Sequence, residues 1–353
     1  MPGPYRVYAE AGMAALMGWY DPARGLWQTG GWWNAANALA VVIAYTMRTR
    51  APTYQSAIAT TFEKNKGWAL CRAGQWFYPG RFINHYYDDE GWWALTWITA
   101  YDLTGEQRYL NMARTIFADM TRGWDTRCGG GLMWKKWDGP RWVPYKNAIT
   151  NELFLTLAAR LYQRTSLERY RTWALQAWTW FEASHLLNAQ HLINDGLDRS
   201  CRNNGRPTWT YNQGVILGGL VDLARITQDV SYQALAHAIA AAALSTLVDA
   251  SGILTEPGEA QAPSSDADLP QFKGIFMRHL AYLDAADPRP AYREFIIRNA
   301  DSIWHKNRTV ANQFGLHWAG PVDRTDAIRQ TAALDALLAA LPFATSCHLA
   351  SSG

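Results

Sequence analysis

Apolar residues recur along this chain with helical spacing, and strand-like alternation is scarce. Six segments are apolar nearly all round: "WNAANALAVVIAYTMR" from Trp33, "DDEGWWALTWITAYD" from Asp88, "NAITNELFLTLAARLY" from Asn147, "TYNQGVILGGLVDLARI" from Thr210, "FKGIFMRHLAYLDAA" from Phe272 and "DAIRQTAALDALLAAL" from Asp326. Helices of that kind are buried on most faces. Between them lie segments with one apolar stripe. In "GEQRYLNMARTIFADM" the stripe is Leu110, Ala113, Ile116 and Phe117, while Glu106, Arg108 and Arg114 face elsewhere. "SLERYRTWALQAWTWFEAS" repeats the pattern with Tyr170, Trp173, Ala177, Trp178 and Phe181.

The connections alternate in length. A buried helix passes to a one-sided helix through a short turn carrying a start signal. Thr104 with Gln107, and Thr165 with Glu168, have the capping-box spacing, and Asp287-Pro288 offers an N-cap before a first-turn proline. The return always takes a long Gly/Trp/Asn-rich segment, at roughly 66–87, 124–146, 187–208, 247–269 and 305–325. Buried helices therefore begin near 33, 88, 147, 210, 272 and 326, a period of about 55–60 residues. Their partners begin near 5, 52, 105, 166, 230 and 288. The pattern predicts an all-α (α/α)6 barrel of six inner and six outer helices, as one domain over residues 1–353. The inner helices run in one direction, so every long loop emerges where they begin. Loops that long usually carry function, which places a cleft at that end.

Polar residues collect at the same end. The inner-helix starts hold Asn34 and Asn37, Asp88 and Asp89, Asn147, Asn151 and Glu152, Tyr211, Asn212 and Gln213, and Lys273. The loops add Trp27, Trp32, Trp76, Trp134, Trp137, Trp142 and Trp318. Amides, phenols and indole faces suit a neutral, hydroxyl-rich ligand. The expected sugar contacts are Asn34, Tyr87, Trp134, Asn147, Asn151, Tyr211, Asn212, Lys273 and Trp318. Any one of these Asn could instead cap a helix, and any one Trp could fill the core.

Composition narrows the field. Hydrophobic residues are 49% and charged residues 18%, which supplies a large core; 19 Trp and 17 Tyr stand out. A net charge of +3 gives no reason to expect nucleic acid or an anionic membrane as partner. No stretch reaches the roughly 20 apolar residues of a membrane span. The start of the chain lacks the basic head and apolar run of a signal peptide, and the end lacks an apolar anchor tail. Cys71, Cys128, Cys201 and Cys347 show no zinc-ligand spacing and leave three disulfide pairings open.

The sharpest chemical signal is "YYDDEGWW". Asp88 and Asp89 stand side by side at the start of a buried helix, flanked by aromatics that exclude water. Glycoside hydrolysis needs one ionised and one protonated carboxyl. A helix N-terminus favours the ionised form of one, whose charge then raises the pKa of its neighbour. Other chemistries lack their signatures: there is no H-E-x-x-H, G-x-S-x-G, Walker or dinucleotide pattern in context. Neither a metal nor a cofactor is expected.

The segments "YYDDEGWWALTWI", "WWNAANALAVV", "KNAITNELFLTLAARLY", "TYNQGVILGGLVDL", "FKGIFMRHL" and "QFGLHWAGP" resemble, in order over residues 30–321, the motifs of glycoside hydrolase family 76, the endo-α-1,6-mannanases. The resemblance implies an (α/α)6 barrel that cleaves α-1,6-mannan with retention, Asp88 matching the nucleophile and Asp89 the general acid/base. It implies an α-mannan oligo- or polysaccharide as the partner and an extracytoplasmic location, secreted or at the cell surface; a monomer is expected. Transglycosylation on cell-wall mannan or glycan anchors, a non-catalytic glycan-binding barrel, and another (α/α)6 sugar enzyme are the alternatives.

Overall fold

The computed structural model describes residues 3–67, 80–137, 139, 143–263 and 266–343. Among them lie twelve α-helices and one two-stranded hairpin of β1 (Tyr20–Asp21) and β2 (Leu26–Trp27). The inner helices are α2 (Trp32–Thr49), α4 (Tyr87–Thr104), α6 (Ala148–Thr165), α8 (Thr210–Thr227), α10 (Leu269–Ala286) and α12 (Ala327–Ala340). The outer ones are α1 (Pro4–Met17), α3 (Ser56–Asn65), α5 (Gln107–Met120), α7 (Glu168–Ala183), α9 (Ser231–Thr246) and α11 (Pro290–Lys306). Each inner helix packs on the next, and α12 returns to α2, closing the ring. The (α/α)6 architecture read from the hydrophobic pattern is the one observed.

Inner helices approach each other closely. A Cβ on Gly214 of α8 would lie 2.6 Å from the Phe276 Cα of α10, and one on Gly274 would lie 2.4 Å from the Ala332 Cα of α12. Aromatic residues fill the seams outside the ring. Trp93 and Trp97 of α4 are fully buried and stack together, and Trp97 stacks on Tyr109 of α5 at 5.4 Å. Part of the tryptophan excess is therefore core.

The short turns are built differently from the sequence expectation. Thr104 and Thr165 do not cap α5 and α7, whose N-cap residues are Glu106 and Leu167. Both threonines close the preceding inner helix instead. Their hydroxyls donate to the carbonyls of Ala100 and Leu161, and accept from the amides of Glu106 and Leu167. Thr49 and Thr227 repeat the device at the ends of α2 and α8. A threonine can bond backwards or forwards at a helix boundary, and here the backward bond is made. Likewise α11 begins with Pro290 after Arg289, while Asp287 ends α10.

The long loops are clamped to the ring by buried amides. Asn151 of α6 accepts from the Leu132 amide at 2.7 Å and donates to its carbonyl at 3.1 Å. Gln213 of α8 brackets Ile193 in the same way, and Gln330 of α12 accepts from Phe314. A disulfide, Cys128–Cys201, joins the loop before α6 to the loop before α8. Cys71 and Cys347 lie outside the described residues, as do Trp76 and Trp142.

Candidate active site

The inner-helix starts open onto a cleft of about 1020 Å³. Its centre is the first turn of α4, where Asp88 and Asp89 are both half-buried. Around them stand Trp33 and Trp92, Tyr86, Trp134, Tyr211 on Phe272, and Asp268. Toward α6 and α8 the cleft is bordered by Tyr145, Asn147, Asp195, Asn204, Arg199 and Arg206.

Local pairing fixes the pair and its neighbours. The segment carrying Trp134 runs antiparallel to residues 85–87: Tyr87 N–H donates to Trp134 C=O at 3.0 Å, and Lys136 N–H to His85 C=O at 2.8 Å. This holds the Trp134 indole over α4, where its Nε1–H donates to Asp88 Oδ2 at 2.9 Å. The backbone N–H of Asp89 donates to Asp88 Oδ1 at 3.0 Å. Asp89 Oδ2 accepts from the Asn84 amide at 2.5 Å. Glu90, the third acid in the run, is fully buried and faces the other way. It accepts from Asn84 N–H and pairs with Lys136, which also reaches Asp119.

These partners set the protonation of the pair. Burial pushes the Asp88 carboxyl up to about 7, against the stabilising bonds from Trp134 and the Asp89 amide. Burial also raises Asp89 well above the usual range, and the Asp88 charge raises it further. The donors that favour an ionised form converge on Asp88. These donors favour ionisation at Asp88 first, with the second proton retained by the pair. Asp268, bound by the Trp33 indole at 2.8 Å, is a third carboxyl whose charge lifts both.

The model of glycosyl hydrolase family 76 matches residues 9–347. The chain belongs to that family. Among relatives, a putative mannan endo-1,6-alpha-mannosidase of Schizosaccharomyces pombe is 25% identical over 79% of this chain and 63% of its own length. The mannan endo-1,6-alpha-mannosidase DCW1 of Candida albicans is 27% identical over 61% and 51%. The chain thus spans about half to two thirds of the length of these curated relatives. Two solved structures share the fold. The GH76A alpha-1,6-mannanase from Salegentibacter sp. HEL1_6 superposes with a TM-score of 0.80 at 22% identity, covering 95% of this chain and 98% of that one. Dfg5 from Chaetomium thermophilum, in complex with glucosamine, gives 0.83 at 20%, covering 96% and 90%.

On this family-76 barrel, Asp88, Asp89, Trp134, Asn147 and Tyr211 come together in the cleft. The other expected sugar contacts are buried and face elsewhere. Asn34 accepts from Gly31 N–H and donates to Ala267 C=O, tying the start of α2 to the loop before α10. Tyr87 is turned inward against Gly123, and its neighbour Tyr86 takes the cleft position. Asn151 is the loop clamp. Asn212, next to Tyr211 in the first turn of α8, is fully buried. Lys273 is buried in an ion pair with Glu259 at 2.7 Å, donates to Leu316 C=O, and lies over the buried ring of Trp318. One residue turns a helix by about 100°, so a residue at a helix mouth faces the cleft or the wall according to rotation. Sequence spacing alone did not resolve that. Asp195 and Asp268 were missed because they sit in loops, whose path no periodicity reveals. Lys146 was missed too: this buried ammonium pairs with Asp125 and binds the carbonyls of Arg127, Gly130 and Gly131, shaping the Trp134 loop.

Proposed function

We propose that this chain is an endo-acting, retaining α-1,6-mannanase with Asp88 as nucleophile and Asp89 as general acid/base. The observation that carries the reading is the asymmetry of the pair. Asp88 holds two donors suited to a carboxylate, while Asp89 holds one neutral amide and the repulsion of Asp88. In the first step Asp88 attacks the anomeric carbon, and Asp89 gives its proton to the departing O6 of the next mannose. The bond to Asp88 is an ester. Asp89, now ionised, takes a proton from water as the water oxygen attacks the same carbon and frees Asp88. Two displacements restore the α configuration.

The choice of substrate rests on the relatives. Several are named mannan endo-1,6-alpha-mannosidases. A Salegentibacter alpha-1,6-mannanase with two consecutive aspartates changed to asparagine is an inactive variant, seen with alpha-1,6-mannotriose. Asp88-Asp89 is the one Asp-Asp pair in this sequence. The aromatic floor of Trp33, Trp92, Tyr211 and Phe272 suits the C–H faces of pyranose rings. The Cys128–Cys201 bridge fits an extracytoplasmic setting, where disulfides persist.

The test is digestion of unbranched α-1,6-mannan followed by NMR of the first product. Short oligosaccharides with the α anomer formed first are expected. Mannose alone would overturn endo action. An initial β anomer would remove the covalent role from Asp88. A sugar hydroxyl replacing water in the second step would give transglycosylation, read in the same digest as products longer than the substrate.

A further inference from the structure

The wall between α6 and α8 contains polar side chains that the mechanism above does not use. Glu152 and Thr156 lie one turn apart on α6, and Asn212 lies on α8; all three are fully buried. Both carboxyl oxygens of Glu152, the hydroxyl of Thr156 and both polar atoms of the Asn212 amide have no hydrogen-bond partner among the described residues. Thr156 also omits the bond to the carbonyl four residues back that Thr96 and Thr99 of α4 make.

Helix periodicity places these groups along one seam. Gly219 of α8 faces Leu155 and Thr156 of α6, since a Cβ there would lie 2.9 Å from Thr156 Oγ1. The two helices run the same way. Going from Thr156 toward the cleft reaches Glu152 in one turn, and going from Gly219 reaches Asn212 in about two. Asn212 precedes the end of the seam by one residue, and that residue, Tyr211, is on the cleft floor. Glu152 also lies within electrostatic range of the Tyr211 phenol, whose pKa it would raise if ionised.

We propose that Glu152, Thr156 and Asn212 enclose a cluster of ordered water beneath the cleft, and that this water holds Tyr211 in its sugar-binding position. Left dry, a carboxyl, a hydroxyl and a carboxamide in one seam would each keep a desolvation penalty. Water resolves it, because buried water settles where several polar groups lack partners and bonds two to four of them. Burial raises the Glu152 carboxyl well above the usual range, which favours its neutral form with one donor and an acceptor. Tyr211 is fixed on its ring face by stacking on Phe272 at 3.9 Å. The hydrated seam supplies the second fixed point, through the first turn of α8. Glu152 is then a positioning residue.

The functional half of this inference rests on the cleft being the mannanase site; the water does not. A high-resolution crystal structure of the wild type should show ordered water within hydrogen-bond distance of Glu152 and Asn212. A dry seam overturns the proposal, whether or not the enzyme cleaves mannan. The functional half is read by a double-mutant cycle of Glu152→Leu with Tyr211→Phe, on α-1,6-mannotetraose, with melting temperature measured in parallel. Glu152→Leu should lower kcat about tenfold, as for loss of a positioned hydrogen bond, leave KM within about twofold, and not lower Tm. Glu152→Gln should restore most of the rate. In the Tyr211→Phe background, Glu152→Leu should add nothing. Fully additive losses, or a rate loss that tracks a fall in Tm, would reduce Glu152 to a structural role. Asn212→Leu carries the same cycle if Glu152→Leu does not fold. A wild type that releases nothing from mannan counts against the function, and the diffraction result then decides the water site alone.

Discussion

Toward the C-terminal ends of the inner helices, Asp222 is fully buried and accepts from Arg160 at 2.8 Å, Gln163 at 3.0 Å and Tyr282 at 2.7 Å. Asp335 is held by both nitrogens of an Arg278 fork, at 2.8 and 2.7 Å. At the opposite end of the same ring, Asp88 and Asp89 accept from an indole, a backbone amide and a carboxamide. No cation among the described residues pairs with either. One residue type thus does two jobs, and the partner decides which. A guanidinium that binds a carboxylate makes it part of the frame. Neutral donors leave the burial penalty uncompensated, so both carboxyls rise above the usual range, as the proposed acid–base chemistry requires.

The contrast is broken most severely at the open end. Asp88→Asn and Asp89→Asn should each lower kcat by roughly a thousandfold or more, since nucleophile or acid/base function is lost. Their melting temperatures should stay at or above the wild-type value. A variant that keeps about a tenth of wild-type activity would strip that residue of its role, each tenfold being about 1.36 kcal/mol of barrier. The mirror experiment is Asp222→Ala, which leaves the Arg160 charge unpaired. It should destabilise by about 3–5 kcal/mol, seen in denaturant unfolding, with kcat of the folded fraction unchanged. Loss of activity without loss of stability there would erase the distinction.

The disulfide lies between these extremes. Replacing Cys128 and Cys201 together by serine should cost about 2–4 kcal/mol. Because the bridge joins the Trp134 loop to the Asn204–Arg206 loop, KM should rise more than kcat falls. Equal changes in both would separate the bridge from the cleft.

The smallest effects are shifts of the pH–rate profile, a bell bounded by the first and second ionisations of the pair. In the proposed mechanism the active form carries Asp88 ionised and Asp89 protonated. The Trp134 indole lowers the Asp88 pKa, so Trp134→Phe should move the acid limb to higher pH. The Asp268 charge raises both carboxyls, so Asp268→Asn should move both limbs to lower pH. Shifts in the opposite sense would mean that the donors and charges do not act on the ionisations that govern rate.

The frame was more legible than the site. Helices apolar all round announce their burial, and their observed starts at Trp32, Tyr87, Ala148, Thr210, Leu269 and Ala327 follow the expected period. Thr104 and Thr165 were misread because the same spacing serves a start signal and a back-bonded end. Asp88 and Asp89 were legible because two adjacent acids before a buried helix have few structural uses. Tyr86 and Tyr87 show the limit: one faces the cleft and the other Gly123, and only packing separates them. Asp268 reaches the cleft from a loop with no pattern of its own.

The Trp33–Asp268 hydrogen bond joins residues 235 positions apart. It connects the first inner helix to the fifth, so the aromatic floor is finished only when the chain ends have met and α12 has sealed against α2. Long-range closure of this kind is entropically slow compared with making helices or neighbouring pairs. A refolding chain should regain its circular-dichroism signal before the ring closes and this hydrogen bond finishes the cleft floor.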